Sequence, residues 1–356
     1  MDYSVEVLFE KAVVLLKQLI STPSFSKEEN DTAALITLFL EQNGIPCQRV
    51  GNNVYAKNAH YHEGRPTILL NSHHDTVKPN KGYTLNPFEA LEKDEKLFGL
   101  GSNDAGGCLV SLAAVFLYYY HRKDLKHNLV FAASAEEEIS GINGIELVLP
   151  YLGNIQAGIV GEPTKLEMAV AERGLMVIDC IAAGRAGHAA RNEGENALYK
   201  AISDINWIRN YRFDKVSDLL GESRMTVTII DTDNKQHNVV PSQCRFVIDV
   251  RVNELYKFDE ILDALQQHLQ SEFRPRTTRM KSTAISLDHP LVKAGISIGR
   301  GYYGSPTTSD KALMPFPALK MGPGDSARSH TADEFIYLEE IKDGIETYIK
   351  LLEQVV

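Results

Sequence analysis

Cysteine is scarce in this 356-residue chain, and its spread matters more than its number. Cys47, Cys108, Cys180 and Cys244 stand far apart with no CxxC pair, which argues against a disulfide framework and against thiolate zinc ligation. Three of them adjoin apolar runs, so reduced core thiols are expected. Positive charge is also short. With 37 Lys and Arg against 47 Asp and Glu, the formal charge is −10, and no basic stripe occurs. Such a chain repels phosphate backbones and anionic headgroups, so nucleic acid and membrane are not expected as partners. Long apolar runs are missing too: the most apolar stretch, Leu109 to Tyr120, falls far short of the ~20 residues of a spanning helix and reads as a buried helix. The first residues carry Glu6, Glu10 and Lys11 among apolar positions at helical spacing. This predicts an amphipathic helix rather than a secretory signal, and a cytoplasmic protein.

At 44% apolar and 24% charged the composition is that of a globular protein, and the length predicts two domains. Up to about residue 174, helical patterns alternate with short apolar runs, at 67–70, 128–134 and 157–160, and a further run at 318–321 precedes a last helix near 338–352. Alternation of this kind predicts an α/β domain with a mostly parallel sheet and helices on both faces. The expected domain is discontinuous, 1–174 with 283–356. The inserted stretch, 175–282, has its own order: a strand at 175–181, a helix over 196–209, strands at 224–231 and 243–252, a second helix and a strand at 277–286. In the second helix Phe258, Ile261, Leu262, Leu265 and Leu269 share one face. The order β-α-β-β-α-β predicts a ferredoxin-like arrangement.

Ligands of an open α/β sheet lie at the carboxyl ends of its strands, and the residues at those ends here are metal-binding types. His73, His74 and Asp75 follow the first run, Glu136, Glu137 and Glu138 the second, Glu162 the third and His330 the fourth, while Asp104 lies in a Gly-rich turn, GSNDAGG. Taken singly, each has a plainer explanation: a surface turn, a solvated acidic run, a helix N-cap. Their coincidence at strand ends does not. Two histidines and three carboxylates are a suitable set for a pair of zinc ions sharing one carboxylate.

In order and spacing, HHDTV, GSNDAGG, AEEEI, GEPT and GPG followed by His330 resemble the motifs of the dinuclear zinc peptidase family. That family includes acetylornithine deacetylase, succinyl-diaminopimelate desuccinylase, aminoacylase and glutamate carboxypeptidase. The resemblance spans nearly the whole chain and implies two Zn2+, for which Co2+ can substitute. It implies that Asp104 bridges the ions, with His73 and Glu162 on one and Glu138 and His330 on the other. Asp75 would orient His73, and Glu137 would be the general base. Glu136 stands where the family commonly has Asp. The inserted domain would be a lid and the interface of a homodimer, with His188 and Asn238 reaching the partner's active site and Arg251 holding a substrate carboxylate.

Segments 307–311 and 322–326 resemble substrate-facing loops, which puts Asp310 and Gly322 among the expected substrate contacts and makes Asp310 or Asp325 candidates for a cationic side chain. The last of these segments looks most like the ornithine and lysine deacylase branch. The expected substrate is therefore an N-acetyl- or N-succinyl-ornithine in arginine synthesis, with diaminopimelate desuccinylation or peptide cleavage as the alternatives. GPGDSA also fits a dinucleotide fingerprint, but proline occupies it and no apolar helix follows. A serine hydrolase is not expected either.

Overall fold

The computed structural model describes residues 3–356, and the chain forms two compact units. The first runs to Val170 and takes in Ile285–Tyr303 and Ser309–Val356; the second comprises Ala171–Ala284 and Gly304–Thr308.

In the first unit, helices α1 (Val5–Ile20) and α2 (Asn30–Gln42) precede the strands β1 (Gln48–Val50), β2 (Asn53–Lys57) and β3 (Thr67–His73). A small antiparallel pair, β4 (Leu91–Lys93) and β5 (Lys96–Phe98), leads to α3 (Gly107–Tyr119). Then come β6 (Asn128–Ser134), α4 (Ile145–Leu152), β7 (Ile155–Val160) and β8 (Met168–Glu172). Ser4 caps α1 by accepting from the Val7 N–H, and Leu8, Ala12, Leu15, Leu16 and Ile20 form its buried stripe. In α3 nearly every residue is buried, which explains a sequence apolar all the way round.

The sheet order is β1-β2-β6-β3-β7, then Ala318–Lys320, then β8. Its centre is parallel: β3 runs parallel to β6 and β7, and Ala318–Lys320 runs parallel to β7. Every residue of β3 and β6 is buried, as expected of strands covered on both faces. Leu69, Val130 and Ala132 pack against Ile145, Val148 and Leu152 of α4, while α3 covers the other side with α1 and the last helix, Leu338–Leu352, against it.

In the second unit β9 (Gly174–Ala183) is followed by α5 (Ala197–Asn210), strands Arg224–Thr232 and Gln243–Val252, α6 (Phe258–His268) and strand Glu272–Pro275. From the outer strand inward the order is 224–232, 243–252, β9, 272–275, all antiparallel. This is the ferredoxin-like arrangement. One face is covered: Met176, Ile178 and Cys180 of β9 meet Phe246, Ile248 and Val250, with Ala197, Ala201, Ile261 and Leu265 from the helices. The fourth strand differs from expectation. It lies at 272–275, where Phe273 packs on this core; of 277–286 only Thr283–Ala284 is extended, paired with Glu172 and Ala171. Pairing with β9 selects the strand, and the local sequence does not record that pairing.

Cys108, Cys180 and Cys244 are buried, Cys47 is half-buried, and all four are free. Among the described residues no helix is long and apolar enough to cross a membrane.

Candidate metal centre

Parallel register assembles the site. His73 ends β3 opposite Ser134, the last residue of β6. The chain then turns through Glu136, at φ 54, to present Glu137 and Glu138. Glu162 follows the end of β7 by two residues. Asp104 lies in the turn Ser102–Gly106 ahead of α3, joined to Ala105 by a cis peptide bond. That turn begins at Gly101, whose φ of +75 and 2.6 Å approach of a Cβ to Thr76 Cγ2 leave room for glycine alone.

The two oxygens of Asp104 are divided between the two histidines. Oδ1 is 3.3 Å from His73 Nε2, and Oδ2 is 3.7 Å from His330 Nε2. His330 Nε2 is also 3.0 Å from Glu138 Oε2, and His73 Nε2 is 4.0 Å from Glu162 Oε1. Donor atoms of His73, Asp104 and Glu138, and again of His73, Glu137 and Glu162, lie within 4.8 Å of one another. Metal–ligand bonds of about 2.0 Å in a tetrahedron put donors about 3.3 Å apart, so the spacings fit a shared cation site. His73 Nδ1 sits 3.0 Å from the main-chain oxygen of Asp75, which assigns the proton to Nδ1 and leaves the Nε2 lone pair facing Asp104.

Electrostatics point the same way. Burial drives the Glu137 carboxyl well above the ordinary range; His73 opposes the rise, while the charges of Glu162, Asp310 and Glu138 add to it. Glu162 is pushed up to about 8, by burial above all and then by Asp104 and Glu138, against Lys320 and His73. Burial alone would lower the His73 pKa, but hydrogen bonds with Asp104 and Asp75 lift it well above the usual value. His330 rises to about 9, first through its hydrogen bond to Glu138. A pocket of buried, mutually repelling acids is one whose ionised form cations stabilise, while both imidazoles become neutral ligands.

Asp75 touches more than the imidazole it was expected to orient. Its carboxylate is 3.5 Å from His73 Nδ1, farther than its own main-chain oxygen. What the carboxylate accepts are the N–H groups of Glu137 (3.0 Å) and Glu138 (3.2 Å) and the Ser26 hydroxyl (2.7 Å). It therefore aims the acidic turn as well as the imidazole. His74 faces away: its Nε2 is 2.9 Å from the Asn52 carbonyl and its Nδ1 2.9 Å from Thr32 Oγ1. Burial lowers its pKa to about 4. Glu136 turns to Asn143, whose side-chain amide donates to it at 2.9 Å.

Two expected substrate contacts are buried instead. Gly322 packs behind Glu162, where a Cβ would come within 2.6 Å of Cys108 Sγ and 2.7 Å of the Glu162 carbonyl. Its N–H and carbonyl are tied to Thr164. Asp310 is 3% exposed and accepts from Ser134 Oγ at 2.5 Å, a buried charge that raises the Glu137 carboxyl. Asp325 pairs with Lys165 at 2.8 Å. In the second unit His188 is exposed and pairs in register with Val239, and the main-chain oxygen of Asn238 accepts from the Ala189 N–H. These two residues share one loop pair. The Arg251 guanidinium is engaged by Asp249 at 2.8 and 3.1 Å.

Sequence reasoning missed Ser26, Asn103 and Glu334, which touch the site through hydrogen bonds and carry no strand-end signal. A GxSxG run does occur, Gly295–Gly299. It spans the end of helix α7 (Pro290–Ser297), and the Ser297 hydroxyl bonds Ala294 O and Gln354 rather than a histidine. The last two residues of GPGDSA begin a short 3-10 turn, Ser326–Arg328, so no dinucleotide helix opens there.

Succinyl-diaminopimelate desuccinylase of Rickettsia bellii (strain OSU 85-389) is 26% identical over 375 residues, covering 95% of each chain. The protein of that name from Wolbachia pipientis wMel is 26% identical over 383 residues, covering 96% of each. The solved aminopeptidase PepT of Bacillus cereus ATCC 10987 has the same fold, with a TM-score of 0.80 at 18% identity over 98% of both chains. So does a dinuclear metal-binding M20 peptidase of Bacillus subtilis, at 0.74 and 16% over 98% of this chain and 100% of that one. Residues 69–354 match peptidase family M20/M25/M40, and with this match over most of its length the chain belongs to that family, as a metal-dependent hydrolase of amide bonds.

Proposed function

We propose that this protein is a dizinc deacylase that cleaves the amide of an N-succinyl amino acid of the diaminopimelate type, in place of the acylated ornithine expected from its sequence. The observation that carries the hydrolytic reading is the division of Asp104 between His73 and His330. The substrate reading is supported by relatives matched over 95% of their length, named as desuccinylases.

His73, Asp104 and Glu162 would hold one cation, and Asp104, Glu138 and His330 the other. When bound, the pair supplies an acidified water and a polarised carbonyl. Glu137, aimed by the bond from its N–H to Asp75, takes the proton of the attacking water. It returns that proton to the departing nitrogen as the C–N bond breaks, leaving succinate and a free amine. Arg251, half-exposed at the end of its strand, would receive a substrate carboxylate in exchange for Asp249.

The second unit would be the lid and the dimer contact. Its outer strand leaves Ile229 56% and Ile230 49% exposed, an apolar edge of the kind a second copy covers. His188 and Asn238 would then serve the partner's active site. Mixing His188→Ala with Glu137→Ala subunits should restore activity that neither variant has alone; absence of rescue counts against a shared site.

A substrate panel tests the chemistry. Zinc-loaded protein should cleave N-succinyl-diaminopimelate at least about tenfold faster, in kcat/KM, than N-acetyl-ornithine or dipeptides, a preference of about 1.4 kcal/mol. Faster cleavage of dipeptides would make it a peptidase.

A further inference from the structure

The ligands expected around the two cations are held in different ways. His73 and Glu162 are buried at strand ends, so the sheet sets their positions. His330 is 54% exposed in its side chain and stands at φ 59 on a loop ten residues beyond the strand Ala318–Lys320. Something else must hold its ring against Asp104.

Two side chains lace that loop to the turn carrying Asp104. Glu334, 2% exposed, accepts three main-chain N–H groups: those of Asn103 (2.8 Å) and Asp104 (2.9 Å) on Oε1, and that of Gly101 (3.0 Å) on Oε2. Its own carbonyl accepts from the Gly99 N–H at 3.0 Å. Asn103 works in the opposite direction. Its Oδ1 accepts from the Asp325 N–H at 2.9 Å, and its Nδ2 donates to the Asp325 carbonyl at 3.1 Å. A Cβ at Gly324 would come within 2.6 Å of Asn103 Oδ1, so the loop is moulded around this amide. The segment holding His330 is thus tied to the turn holding Asp104 on both sides of the histidine, before it at Asp325 and after it at Glu334.

We propose that Glu334 and Asn103 are positioning residues that fix the distance from Asp104 to His330, and so set the affinity for the cation between Glu138 and His330 far more than that for the one beside His73 and Glu162. The inference rests on the two-cation reading above. A carboxylate accepting three N–H groups holds a turn tightly, and loss of such supporting contacts to ligands weakens metal binding about 10–100-fold.

The test is a Co2+ titration of metal-free protein, followed by equilibrium dialysis and visible absorption. Wild type should bind two ions. Glu334→Gln turns an amide N–H2 towards the Gly101 N–H and should weaken the second ion about 10–100-fold, with the first changed less than about threefold. Asn103→Ala cuts the other tie, leaves Glu334 in place and should give the same selective loss, which keeps the test available if Glu334→Gln does not fold. Equal weakening of both ions, or loss of thermal stability with both affinities intact, would overturn the proposal. Fewer than two ions on wild type would instead overturn the metal reading on which it stands.

Discussion

Glu137→Gln is expected to lower kcat about 10²–10⁴-fold, the usual contribution of a positioned general base, while two metal ions stay bound. The amide is the same size as the carboxylate and cannot take a proton. The turn that carries it is held from the main chain, by the Glu137 and Glu138 N–H groups on Asp75, so the substitution leaves the turn in place. Because the proton moves only as the reaction proceeds, kcat and kcat/KM should fall together. Steady-state kinetics alongside elemental analysis reads both quantities. A variant that retains turnover would remove Glu137 from the mechanism, and one that loses metal would make it a ligand.

A larger effect is expected at Asp104. Asp104→Ala takes one donor from each histidine's neighbourhood at once, since Oδ1 lies by His73 and Oδ2 by His330. Bound metal should fall to one ion or fewer per chain, and kcat/KM should drop by more than about 10³-fold as the bridged pair and its acidified water are lost. The turn should survive: the Asp104 N–H still reaches Glu334, as do those of Gly101 and Asn103. Far-ultraviolet circular dichroism would establish that the fold is kept, and metal analysis would give the count. Two ions held with unchanged affinity would end the bridging role.

How far these features were legible in the sequence depends on how local their cause is. The parallel centre was readable because β3 and β6 are buried on both faces and so are written as apolar runs; the residues just past those runs then named the cluster. The edge strand beside β9 in the second sheet was not readable. Its four residues, Glu272–Pro275, owe their conformation to pairing with β9 rather than to composition. Gly322 and Asp310 were expected at the substrate because segments 322–326 and 307–311 resemble the family's substrate-facing loops; in the structure, chain segments distant in sequence bury both. The hydrogen bonds of the Asp75, Asn103 and Glu334 side chains join residues 49 to 233 positions apart, and no periodicity encodes such pairs. Acyl preference is written least clearly, since the motifs supply candidate metal ligands and a candidate base that any amide substrate would use alike.

Two neighbouring imidazoles close the account. His73 and His74 point to opposite sides, one to Asp104 and the other to Thr32 of α2 and the Asn52 carbonyl. A slip of β3 by a single position would turn each to the other side, sending the ring that faces Asp104 into a dry niche and away from the carboxylates. Misalignment there would forfeit two sets of bonds at once, those of His73 at Asp104 and those of His74 at Thr32 and Asn52.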